Sequence, residues 1–93
     1  MLVEGCSWDL SLPECSSLKD KRRVVKSLRD RIRGRFNVSV AETAYQDVWT
    51  RAQLSVVLVT TDGASADSVL DKLDYFIERE HRVVIISARR ARY

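Results

Sequence analysis

The sequence predicts a small α+β domain with the element order β-α-β-β-α-β. Four short segments are rich in β-branched residues, and two longer segments between them carry apolar residues every three or four positions. Crossovers within one sheet are right-handed, so this order gives a four-stranded antiparallel sheet with two helices on one face, the ferredoxin-like sandwich. We expect one domain, residues 1–93, because a chain of this length can bury a core of its own.

The first strand and the first helix follow from a change of hydrophobic period. Apolar residues favour alternate positions over Leu2–Leu12, and Pro13 ends that strand. Ser16 or Ser17 then offers an N-cap for a helix that finishes near Gly34. Its inner row is Leu18, Val25, Leu28, Ile32 and Phe36, with Val24 at the margin.

The remaining segments predict a hairpin and a second helix. Val38–Tyr45 and Ala52–Thr61 are strands by their β-branched content, and Gln46–Arg51 connects them. After a turn, Ser65 or Asp67 is expected to cap the second helix. Its inner row is Val69 or Leu70, Leu73, Phe76 and Ile77.

The last strand, Arg82–Ala88, and the third strand are apolar on both sides. In this fold Val57 and Val59 would point away from the helices, as would one of the two apolar rows of the fourth strand. An open apolar sheet face favours self-association, so a homo-oligomer, such as a homodimer formed through the sheet, is one expectation. The alternatives are that the C-terminal residues cover this face or that it stays exposed.

Positive charge is concentrated in the first helix. The chain has a net charge of +3, yet residues 18–36 carry nine basic and two acidic side chains. Arg89, Arg90 and Arg92 add a second basic cluster, and a field of one sign attracts polyanions. On a helical wheel, one ridge beside the apolar row contains Lys19, Arg22, Lys26, Arg29 and Arg33.

Two interpretations of this ridge remain open. In one, it is a solvated face that pairs with the acidic second helix, whose exposed ion pairs contribute about 0–1 kcal/mol each. In the other, it and the C-terminal arginines bind the backbone of structured RNA. A membrane partner is not expected, since the apolar side of the helix is needed for the core. Base readout of the RNA-recognition-motif kind is disfavoured because the third strand has no aromatic residue.

No catalytic residue, metal site or cofactor is predicted. Cys6 and Cys15 do not form a metal-binding pair, His81 is the single histidine, and Glu42 and Asp47 are lone carboxylates beside the hairpin. We therefore expect a protein that is not an enzyme. The N-terminal residues lack the pattern of a signal peptide, so a cytoplasmic location with free thiols is expected.

Three stretches of the chain resemble the signatures of the YlxP-like family of small bacterial proteins. The resemblance covers nearly the whole chain and implies a ferredoxin-like fold, a cytoplasmic bacterial setting and no established biochemical activity. Relatives tend to be encoded beside translation-initiation and ribosome-maturation factors, which implies a partner in the ribosomal particle. The three stretches are Ser17–Arg22, Arg35–Glu42 and Gln46–Ala52.

Overall fold

The computed structural model describes residues 1–93 and confirms the predicted element order. The elements are β1 (Leu2–Ser11), α1 (Leu18–Arg35), β2 (Ser39–Ala44), β3 (Arg51–Thr60), α2 (Gly63–Glu78) and β4 (Val84–Arg92). The strands form one antiparallel sheet in the order β2-β3-β1-β4, with both helices packed on one face as the ferredoxin-like prediction requires. Neither helix combines the length and apolar character that crossing a membrane requires.

The core lies between the helices and the central strands β1 and β3. These two strands pair without interruption from Leu2 opposite Thr60 to Ser11 opposite Arg51. Alternate residues of each strand face the helices, and Trp8 of β1 is fully buried there. The Trp8 indole Nε1 donates a 2.7 Å hydrogen bond to the carboxylate of Asp74, so its polar edge is satisfied within the core.

The fourth strand extends further than predicted. It ends at Arg92, whereas the sequence predicted an end at Ala88, so that boundary was wrong. The N-terminal half of β1 would otherwise have unpaired backbone groups on this side. The added residues provide the partners, with Arg90 opposite Cys6 and Arg92 opposite Glu4.

The second helix begins earlier than predicted. Asp62 is its N-cap and accepts a 2.8 Å hydrogen bond from the Ser65 backbone N–H, so the prediction of Ser65 or Asp67 as the cap was wrong. Asp, Ser and Thr cluster at this turn, and propensity alone does not select one of them. The buried row of α2 is Ala66, Leu70, Leu73 and Ile77, with Val69 and Phe76 partly buried beside it.

A buried carboxylate joins the two helices to the start of β4. Glu80 is 6% exposed, and its carboxylate accepts hydrogen bonds from Arg82 Nη2 at 2.6 Å and from Arg31 Nη2 at 2.5 Å. The side-chain hydrogen bonds from Arg82 are the largest reason that the pKa of Glu80 falls from 4.5 to about 2. Glu80 therefore fixes α1 against the end of α2.

We expect Glu80→Gln to lower the free energy of unfolding at neutral pH by about 2–3 kcal/mol. The pKa of Glu80 is depressed in the folded state, so its contribution is complete above pH 4.5 and is lost as the pH falls towards about 2. Urea unfolding across this range should show wild type and variant converging at acid pH. Glu78→Gln, an exposed change at the C-terminal end of α2, is the control. A difference that stays constant with pH would contradict the assignment.

We expect alanine substitutions at Gly5 and Gly34 to change the stability of the fold in opposite directions. A Cβ at Gly5 would lie 2.9 Å from the backbone oxygen of Val56, whereas a Cβ at Gly34 meets nothing within 4 Å. We expect Gly5→Ala to destabilise the fold by about 1–3 kcal/mol through overpacking. Gly34→Ala should stabilise α1 by about 0.5–1 kcal/mol because alanine is the better helix former. Thermal unfolding of both variants tests the pair, and shifts of the same sign would be inconsistent with these environments.

Candidate nucleic-acid interface

The ridge of Lys19, Arg22, Lys26, Arg29 and Arg33 lies on the flank of α1 that faces the edge strand β2. Arg33 Nη2 donates a 3.4 Å hydrogen bond to the backbone oxygen of Val40 near the start of β2. Lys21, one helical position from Arg22, contacts Glu42 near the end of that strand. The helix thus runs antiparallel to β2, and the part of the ridge from Arg22 to Arg33 follows the sheet edge for about 16 Å at 1.5 Å per residue.

Most of the ridge has no acidic partner within the chain. Lys19, Arg22, Arg29 and Arg33 form no ion pair. Lys26 is bound to Asp30 on its own helix at 2.7 Å, and the Lys26 hydrogen bond is the main cause of the lowered pKa of that carboxyl. An exposed pair of this kind contributes little to stability and leaves the rest of the ridge uncompensated.

The opposite flank of α1 carries the arginines that contact α2. Arg31 binds Glu80, and the guanidinium carbons of Arg31 and Arg35 lie 5.7 Å and 5.6 Å from the ring centre of Phe76. These contacts are cation–π interactions. The basic residues of α1 therefore fall into two groups, and the ridge is the group that points away from α2.

The acidic residues of α2 do not neutralise the ridge. Asp67, Asp71 and Asp74 all approach Arg90 of β4, at 4.0, 2.7 and 2.8 Å. These three carboxylates, which we call the acidic stripe, lie on the side of α2 turned towards β4. Glu80, which follows α2, pairs with Arg31 of α1 and not with the ridge.

The three C-terminal arginines do not form a single basic cluster. Arg90 and Arg92 lie on the face of the sheet that the helices cover, and Arg89, which stands between them on β4, lies on the open face. Arg90 is held by the acidic stripe, and Arg92 Nη2 binds Glu4 at 2.6 Å. Only Arg89 has no carboxylate partner, so the structure corrects the expectation that all three add to the field of the ridge.

Lys21 is a functional candidate that the sequence reasoning missed. Its side chain is 1% exposed, and its ammonium group binds Glu42 at 3.0 Å and donates to the backbone oxygen of Tyr45. Residue-type statistics place lysine at the surface. Its spacing of four from Val25 and seven from Leu28, both core residues, was the signal that could have placed it on the buried row.

Lys21 holds a strained hairpin loop at the Arg22 end of the ridge. Tyr45 begins this loop, residues 45–50, and has a φ of 63°, the only positive value at a non-glycine residue. Arg51 stacks on the Tyr45 ring at 4.8 Å. Trp49 lies in the same loop and is 51% exposed.

The open face of the sheet is polar at its centre. Ser7 and Thr43 both hydrogen-bond to Ser55, and Gln53 links Thr43 to Asp9, so side chains of β2, β3 and β1 form one network. The exposed apolar residues are split between the two ends of this face. They are Val57, Val59 and the C-terminal Tyr93 at one end and Val84 and Ile86 at the other. Self-association through this face stays a prediction, with less continuous apolar area than the sequence suggested.

The side chains that could take part in catalysis or metal binding are paired with other residues or lie far from one another. Glu42 is bound to Lys21, and the exposed His81 ring lies 3.6 Å from the Glu80 carboxylate. Burial is the main cause that raises the pKa of the Cys6 thiol to about 11. No group of three or more His, Cys, Asp or Glu side chains is arranged to hold a metal ion.

Comparison with known proteins agrees with the fold and with the resemblance in the sequence. The chain is 34% identical over 65 residues to a protein of Bacillus subtilis (strain 168) named "Uncharacterized protein YlxP", a match covering 70% of this chain and 71% of that one. The resemblance to the YlxP-like family is thereby confirmed.

Two solved structures are similar in shape. A de novo designed protein with a ferredoxin fold, solved by NMR, matches with a TM-score of 0.58 and 17% identity, covering all of this chain and 84% of the design. The periplasmic domain P4 of SecDF matches with a TM-score of 0.48 and 12% identity, covering 95% and 87% of the two chains. Residues 3–90 match the family described as "Protein of unknown function (DUF503)", and the chain belongs to that family.

Proposed function

We propose that this protein is a non-catalytic accessory factor that docks on structured RNA through the ridge on α1. The observation that carries this proposal is the uncompensated charge of Lys19, Arg22, Arg29 and Arg33, all on the flank of α1 that faces away from α2. The partner implied by the family resemblance is the RNA of a ribosomal particle, which would place the protein in the cytoplasm.

The geometry of the ridge suits a nucleic-acid backbone. Cations spread over about 16 Å from Arg22 to Arg33 can reach several phosphates, because duplex nucleic acid carries roughly one charge per 1.7 Å of its axis. Binding then gains free energy from the release of condensed counterions. Arginine predominates in the ridge, and its planar guanidinium contacts phosphate oxygens in pairs. A bilayer surface suits this helix less well, since Val24, Val25, Leu28 and Ile32 are buried in the core.

The hairpin loop extends the proposed RNA surface at the Arg22 end of the ridge. Lys21 and Arg51 both contact Tyr45 at the start of the loop, and Trp49 in the same loop is exposed. An exposed indole is a platform for an unpaired base, worth about 1–3 kcal/mol per stacked base. We therefore propose that the RNA has a paired stem along the ridge and an unpaired nucleotide at Trp49.

Salt dependence tests the ridge directly. The logarithm of RNA affinity should fall linearly with the logarithm of salt concentration, by about 0.7–0.9 for each phosphate contacted. Arg22→Gln with Arg33→Gln removes two contacts and should reduce that slope by about 1.5. The measurement is fluorescence anisotropy of a labelled RNA stem-loop titrated at several salt concentrations.

The matched control for that experiment removes the same amount of charge from the flank of α1 that faces α2 and from α2 itself. Arg35→Gln with Lys72→Gln lowers the net charge by the same two units, but neither residue belongs to the ridge. Its slope should equal that of the wild type. Equal loss of slope in the two double variants would mean that net charge alone attracts the RNA, and absence of binding at low salt would refute the proposal.

Tryptophan fluorescence tests the stacking at the hairpin. Trp49 is exposed and Trp8 is fully buried, so the quenching caused by RNA should come from Trp49 and disappear in Trp49→Phe. Trp49→Ala should weaken binding of a stem-loop by about tenfold while leaving a fully paired duplex unaffected. Tyr75→Ala removes another exposed aromatic and should change neither affinity. If Trp49→Ala weakens both RNAs equally, the indole does not read an unpaired base.

A further inference from the structure

A second basic surface lies between the C-terminal halves of α1 and α2. The two helices are antiparallel here, and they leave an open cleft of about 890 Å³. This volume is in the range of sites that bind small molecules. The aromatic side chains of Phe36, Tyr75 and Phe76 line it together with several arginines.

The cleft has an excess of positive charge although α2 is the acidic helix. Its two carboxylates are already bound: Glu80 holds Arg31 and Arg82, and Asp71 is bound to Arg90. The other cationic side chains form no ion pair. They are Arg35, Lys72 and Arg79.

Two of these cations are positioned by aromatic rings. The guanidinium of Arg35 lies 5.6 Å from the ring centre of Phe76, and Phe36 packs edge-on against the same ring at 5.6 Å. Arg79 Nη1 donates a 2.8 Å hydrogen bond to the Tyr75 hydroxyl. A ring orients a guanidinium without neutralising it, so its remaining N–H groups stay available to an anion.

We propose that this cleft binds a small ligand that carries two or more phosphate groups. Three unpaired cations around one cavity match such a polyanion in charge, and guanidinium groups contact phosphate oxygens in pairs. The site is independent of the proposed RNA surface, because Arg35 and the ridge lie on opposite flanks of α1. The inference therefore goes beyond the proposed function and does not rest on it.

The test is a titration of the whole chain, labelled with ¹⁵N, followed by ¹H–¹⁵N NMR. The probes are inorganic pyrophosphate and ATP, with citrate as a carboxylate of comparable charge. Both phosphates should shift the resonances of Arg35, Tyr75 and Arg79 and saturate below about 1 mM, with citrate at least about tenfold weaker. Tighter binding of ATP would identify a nucleotide as the source of the phosphate groups, and equal binding would identify the phosphates alone.

The variants separate the cleft from general charge. Arg35→Gln with Lys72→Gln should weaken pyrophosphate binding by about tenfold or more, whereas Arg22→Gln with Arg33→Gln should leave it unchanged. Both pairs are exposed, and unchanged thermal unfolding shows that each variant is folded. The proposal is overturned if binding does not saturate by about 10 mM, or if both variants lose affinity equally. RNA binding is measured separately, so failure here leaves the RNA proposal standing.

Discussion

The rotation of α2 about its own axis determines where positive charge is left uncompensated. Burial of Ala66, Leu70, Leu73 and Ile77 fixes this rotation, because these four side chains form the row that closes the core. The acidic stripe then points to β4, where Arg90 neutralises it. Had α2 been rotated by about half a turn, the stripe would face α1 and cancel much of its charge. Apolar packing thus sets the electrostatics of a surface on another helix.

The same reasoning divides α1 into three longitudinal parts. One row enters the core, one flank meets α2 through Arg31 and Arg35, and the remaining flank forms the ridge. Lys21 belongs to the first part, although it is charged, because its ammonium group finds Glu42 and a backbone oxygen of the hairpin loop. A buried ammonium needs such partners, and their loss would leave an uncompensated charge in the interior. The loop conformation is therefore tied to the start of α1.

The sequence was sufficient for the fold and for the residues that could form a basic surface. Period and β-branched content gave all six elements, and the helical wheel placed the ridge on one flank of α1. The sequence could not predict which carboxylate each of these cations pairs with, because ion pairing depends on how the helices and strands are rotated against each other. Arg90 and Arg92 illustrate this limit: they read as free cations in a tail, but backbone pairing to β1 carries them to Asp71 and Glu4. Lys21 was missed because lysine is usually exposed, and this expectation was given more weight than its position on the helical wheel.

The arrangement of charge on α1 is unfavourable for the isolated chain. Cations on one helical flank repel one another, and repulsion within a single-sign surface lowers the stability of a compact protein. Asp30 and Glu80 relieve only part of this repulsion, through Lys26 and Arg31. An external anion would relieve the remainder and would therefore stabilise the fold by binding to its native state alone. Packing within the chain therefore leaves the charge of the ridge uncompensated.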